Sequence, residues 1–100
     1  MADFYENKQV TEEVILVGVA LGETSVTDES LDELEELAKT AGAVTVGRLI
    51  QNREMIHPGT YLGKGKLEEL AFLISETHAT GIICDDELSP AQMANMEDVL

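Results

Sequence analysis

The chain has no tryptophan, one cysteine, two prolines, and only six lysines and arginines against twenty aspartates and glutamates. Each shortage removes a class of protein. A lone Cys84 leaves no disulfide framework and no zinc-ligand spacing, and it suits a reducing, cytoplasmic setting. With aromatic residues at 4%, the core has to be built from Leu, Ile, Val, Ala and Met. A net charge of −14 argues against wholesale, sequence-independent binding of nucleic acid, which depends on many Lys/Arg–phosphate contacts. The same charge disfavours anionic membranes. No apolar run approaches the roughly 20 residues that span a bilayer, and the polar start, Met1 to Thr11, lacks the pattern of a signal peptide. One hundred residues suffice for one domain with a modest core.

The few basic residues are not spread evenly. Arg48, Arg53, Lys64 and Lys66 fall between positions 48 and 66, and the two lysines sit in Gly63-Lys64-Gly65-Lys66, directly ahead of an amphipathic stretch. A helix N-terminus adds partial positive charge and unpaired N–H groups. Phosphate, carried by a nucleotide or by an RNA backbone, is therefore the first ligand to consider.

The apolar periodicity predicts alternating strands and helices. Val14–Ala20 is continuously apolar, the pattern of a strand buried on both faces. Leu21 to Thr27 reads as a polar turn, and Ser30-Leu31-Asp32-Glu33 as a capping box opening a helix that Gly42 ends. Val44–Gln51 reads as a second strand and residues 52–63 as a loop with a His57-Pro58-Gly59 turn. A second helix is predicted over Lys64–Thr77 and a short third strand over Gly81–Cys84. Ser89-Pro90-Ala91-Gln92 combines an N-cap serine, proline at the first helical position and glutamine at N3, and opens a third helix. The order βα-βα-βα implies an α/β fold, a small parallel sheet with helices packed on it. Residues 1–12 read as a polar extension and residues 13–100 as the domain. Met93, Met96 and Leu100 share one helix face without a C-cap, so the domain is expected to lack a strand beyond Leu100 and, when isolated, either to self-associate or to be less stable than a version extended through that strand.

The candidate sites are few. Gly63-Lys64-Gly65-Lys66 is not a Walker A motif, because Gly59 is badly spaced and Gly65 stands where a magnesium-binding Ser or Thr is required. On the residues alone, Lys64 and Lys66 are either a phosphate contact or a solvated helix start. Asp85-Asp86-Glu87 follows the third strand, where open α/β sheets place ligands. Asp85 and Asp86 are weak candidates for magnesium, set against a polar loop facing the next helix. His57 and His78 have no ligand partner at metal spacing and read as ordinary surface histidines, and Cys84 reads as an inert strand residue.

Three segments together resemble the N-terminal domain of HflX-type GTPases. They are Thr40-Ala41-Gly42-Ala43 with Val46-Gly47-Arg48 and Gln51, then Thr60-Tyr61-Leu62-Gly63-Lys64-Gly65-Lys66-Leu67-Glu68-Glu69-Leu70, then Asp85-Asp86-Glu87-Leu88-Ser89-Pro90-Ala91-Gln92. Ala94 departs from the arginine usual in that family. The resemblance implies a longer protein in which this domain precedes a helical hairpin and a G domain. That protein would bind GTP and magnesium, associate with the large ribosomal subunit, and split or rescue ribosomes. No cofactor and no catalytic residue are then expected in this chain. Lys64, Gly65, Lys66, Arg48, Arg53 and Tyr61 become candidates for contact with RNA phosphate or with the partner domains. The competing readings are a purine-nucleotide-binding or weak NTPase domain using the Gly-Lys-Gly-Lys loop, and a purely structural scaffold.

Overall fold

The computed structural model describes residues 11–22 and 24–100. Its elements are β1 (Glu12–Ala20), α1 (Thr24–Thr40), β2 (Ala43–Asn52), α2 (Lys64–Thr77), β3 (Gly81–Cys84) and α3 (Pro90–Val99). The three strands form one parallel sheet in the order β2-β1-β3. The central β1 is buried from Val14 to Ala20, as its unbroken apolar sequence requires.

Alternation along β1 splits the core between two faces. Ile15, Val17 and Val19 pack with Leu49, Tyr61, Leu62, Leu67, Leu70 and Met96, the face that α2 and α3 cover. Val14 and Leu16 pack with Leu31, Leu34, Ile50 and Ile83, the face that α1 covers. The chain thus leaves β1 toward one face and β3 toward the other. The neighbouring carboxyl ends of β1 and β3 form the switch point where open α/β sheets place ligands.

Most predicted elements coincide with those observed. α2 and β3 keep their expected bounds, and α3 opens with the expected capping box: the Ser89 side chain accepts from Gln92 N–H while Gln92 accepts from Ser89 N–H. Gly42 follows α1 with φ +93, a conformation that favours glycine.

The start of α1 differs from expectation. The helix begins at Thr24, so Ser30 lies within it instead of capping it. The reason is tertiary. Thr27 and Leu31, one turn apart, are both buried. A Cβ on Gly18 of β1 would stand 2.9 Å from Thr27 Cγ2, so the missing side chain at Gly18 is what lets this turn of helix sit down on the strand. Leu37 of α1 is 67% exposed, although it lies at helical spacing from the buried Leu31 and Ala38.

Candidate functional site

The site grows from the loops at the carboxyl ends of β2 and β3. Residues 53–63, which have to travel from β2 to the start of α2, close on themselves. Tyr61 N–H donates to His57 C=O at 2.9 Å, and His57 N–H returns the bond to Tyr61 C=O at 3.3 Å. His57 Nδ1 accepts the backbone N–H groups of Gly59 at 3.0 Å and Thr60 at 3.2 Å. Nδ1 thus serves as the acceptor that gathers the loop's backbone N–H groups. Two side chains on one face of α3 hold the loop from outside: Gln92 Nε2 donates to His57 C=O and Asn95 Nδ2 to Gly59 C=O, both at 2.9 Å.

This closure presents Tyr61 inward. Its φ is +68 and its side chain is fully buried, a rare combination for a bulky residue. The phenol O–H donates to Asp86 Oδ2 at 2.7 Å, joining the loop after β2 to the loop after β3. Burial first, then the bond to Asp86, push the phenol well above its ordinary pKa of 10.0. Burial, with Asp86 nearby, raises the Cys84 thiol to about 11. The Asp85 carboxyl is also raised, chiefly by burial and then by Asp86 and Glu33.

The basic corner lies at the N-terminus of α2. Gly63 is its N-cap, and no side chain among the described residues caps the helix. Gln51, at the end of β2, accepts the Gly63 N–H at 2.8 Å. The Arg53 guanidinium lies so close over Gly63 that a Cβ there would stand 2.5 Å from Nη1, while Arg53 Nε donates to Met55 C=O. Lys64 and Gly65 are exposed, and Lys64 has no ion-pair partner among the described residues. Lys66 is half-buried and pairs with Glu69 at 2.9 Å.

The six residues predicted to make contacts therefore do not form one group. Arg53, Lys64, Gly65 and Lys66 come together around the first turn of α2. Arg48 lies on the α1 face of β2, where Asp32 at 2.6 Å and Glu35 at 2.8 Å hold it. Those bonds, Glu35 first, keep its guanidinium firmly protonated. Tyr61 is enclosed in the core, two residues before the N-cap Gly63, and is not exposed with them. Asp85 and Asp86 stay together after β3, but one Asp86 oxygen is taken by Tyr61. Among the described residues no group of three His, Cys, Asp or Glu side chains is placed to hold a metal ion.

Sequence reasoning missed the parts that build the corner. His57 organises the loop, Gln51 occupies the Gly63 N–H, and Gln92 serves both its own helix cap and the loop. The one available signal was the polar pair Gln92 and Asn95, three residues apart on a helix otherwise read by its methionines.

The family model described as GTP-binding GTPase N-terminal matches residues 28–100. The chain is 61% identical, over all of its 100 residues, to the GTPase HflX of Lacrimispora saccharolytica, covering 24% of that protein. It is 48% identical over 86 residues to the GTPase HflX of Alkalihalophilus pseudofirmus, 85% of this chain and 20% of that one. To the GTPase HflX of Escherichia coli it is 36% identical over 69 residues, 69% of this chain and 16% of that protein. The chain thus spans no more than about a quarter of the curated relatives it matches.

Proposed function

This chain belongs to the HflX GTPase family, whose N-terminal domain it matches, and from that premise we propose that it is a contact module of a ribosome-associated GTP-binding protein. In this reading the module touches RNA phosphate on the large ribosomal subunit, or the neighbouring domains of its own protein, in the cytoplasm. GTP hydrolysis resides in a G domain elsewhere in the longer protein, and the whole takes part in splitting or rescuing ribosomes.

One observation carries the reading. In a chain of charge −14, Arg53, Lys64 and Lys66 converge on a helix N-terminus that no side chain among the described residues caps. Acidic surface elsewhere repels a polyanion, so contact with RNA is confined to this corner and made in one orientation. Each lysine that meets a phosphate releases a counterion, which supplies local affinity without general nucleic-acid binding.

The corner does not fit GTP and magnesium as a P-loop would. The Gly63 N–H already bonds to Gln51, and Gly65 offers no hydroxyl where a magnesium ligand belongs. The nucleotide and its metal are therefore assigned to the longer protein, and no catalytic step is derived from this chain.

The test is sedimentation with large ribosomal subunits of a full-length HflX carrying this chain as its N-terminal part. Lys64→Ala with Lys66→Ala should leave more of the protein in the supernatant. Unchanged pelleting would remove the corner from the interface. In parallel, titration calorimetry of this chain with GTP and ATP, with and without magnesium, should show no heat of binding. A magnesium-dependent isotherm lost on Lys64→Ala would favour a nucleotide-binding domain instead.

A further inference from the structure

Glycine at position 63 needs a reason. Gly63 is the N-cap of α2, a place where Ser, Asp and Asn serve better. Its φ of −71 and ψ of 165 are extended backbone that any residue adopts. Conformation therefore does not call for glycine, but space does. A Cβ there would stand 2.5 Å from Arg53 Nη1, 3.2 Å from Gln51 Nε2 and 3.6 Å from Gln51 Oε1. At Gly65, by contrast, a Cβ would meet nothing within 4 Å. A guanidinium stands where a capping side chain would begin.

That guanidinium is anchored but carries no carboxylate. Arg53 N–H donates to Ala20 C=O at 3.1 Å and Nε to Met55 C=O at 3.0 Å. Arg53 is half-buried, and it has no ion-pair partner among the described residues, unlike Arg48 with Asp32 and Glu35. A held, planar fork of this kind suits two oxygens of one phosphate, where a lysine offers only a point charge.

We infer that Gly63 is a positioning residue, whose missing side chain admits the Arg53 guanidinium to the first turn of α2, and that Arg53 is the group that grips the phosphate there beside Lys64. The inference rests on the proposed RNA contact and names the side chain that orients it. A cap and a phosphate compete for this place. A serine at position 63 would turn its hydroxyl to the N–H of Gly65 or Lys66, the donors an anion needs, and its Cβ would displace Arg53 at the same time. Arg53 Nη1 is the far end of a flexible side chain, so it can yield without unfolding the loop.

The experiment places Gly63→Ser, Arg53→Ala and the two together in a full-length HflX carrying this chain, and titrates each with large ribosomal subunits over a range of salt. Gly63→Ser should weaken binding roughly three- to tenfold at low salt and flatten the log-affinity against log-salt slope by about one unit. Arg53→Ala should do the same, and the double variant should be no worse than either alone. Hydrogen exchange of the Leu67–Leu70 amides should be unchanged or slower in Gly63→Ser, because the new hydroxyl caps the helix. A better-capped helix that binds less well is the outcome a merely structural glycine would not give. Unchanged binding by Gly63→Ser, or losses that add in the double variant, would overturn the inference. Should Gly63→Ser instead speed exchange along α2, Arg53→Ala decides, and its unchanged binding would overturn the inference too. If Lys64→Ala with Lys66→Ala weakens binding while Arg53→Ala does not, the corner stands and only this inference falls. If none of these variants alters binding, the proposed contact falls with it.

Discussion

The Tyr61 hydroxyl donates to Asp86 at 2.7 Å across 25 positions of sequence, tying the loop that leads into α2 to the loop that leads into α3. The basic corner is thereby built on a buried residue held in a left-handed conformation, with φ at +68. Removing only the hydroxyl should loosen this tie without emptying the core. Tyr61→Phe should destabilise the chain by about 1–2 kcal/mol, since exposed Asp86 can turn to water. Tyr61→Ala, which also leaves a cavity, should cost about 3–5 kcal/mol. Denaturant midpoints at neutral pH measure both.

High pH should expose the same residue. Tyr61 and Cys84 both have folded-state pKa values above their ordinary ones. Each therefore contributes stability that is complete below the unfolded pKa and lost as pH climbs toward the folded one. For Cys84 the loss runs from about pH 9 to about pH 11, and for Tyr61 it begins near pH 10 and continues upward. Stability followed by circular dichroism should fall through this range. Cys84→Ala should flatten the lower part and Tyr61→Phe the upper part.

Gly18 should tolerate no methyl group while Thr27 keeps its own. The two would meet at 2.9 Å, and Thr27 is buried against the strand. Gly18→Ala should therefore cost about 1–3 kcal/mol as overpacking. Adding Thr27→Ser, which deletes Cγ2, should recover much of that loss. A double-mutant cycle on thermal unfolding reads the coupling between the two positions.

What the sequence made legible was whatever carried its own local boundary signal. α2, β3 and the opening of α3 were readable because glycine, a short apolar run and Ser-Pro-x-Gln each mark an edge by local chemistry. The start of α1 was not readable, because Thr24, Ser25, Val26 and Thr27 are indifferent helix formers and the turn is held by its fit against Gly18. The corner was half legible. The lysines and the helix behind them stand in the motif itself. Gln51, His57 and Tyr61 act through contacts that only the folded chain creates, and nothing local marks Tyr61 for a positive φ. Arg48 shows the converse: close in sequence to the other basic residues, it is drawn to the opposite face by Asp32 and Glu35.

Gln92 should matter more than Ser89, although both belong to one cap. Ser89→Ala removes the side-chain acceptor at the helix start and should cost about 1 kcal/mol. Gln92→Ala loses the reciprocal bond to Ser89 N–H and also the bond to His57 C=O. It should cost about 2 kcal/mol and speed hydrogen exchange across residues 57–61. Equal effects on exchange from the two variants would mean that α3 does not hold the loop.

The salt dependence of large-subunit binding tests the central claim most directly, in a full-length HflX carrying this chain. Log affinity should fall linearly with log salt. Lys64→Ala with Lys66→Ala should weaken binding most at low salt and flatten that slope by about one to two units, as two lost phosphate contacts require. Lys64→Ala should account for the larger part, because Lys66 must first release Glu69. An affinity and a slope both unchanged in the double variant would contradict the assignment and leave the corner as solvated surface.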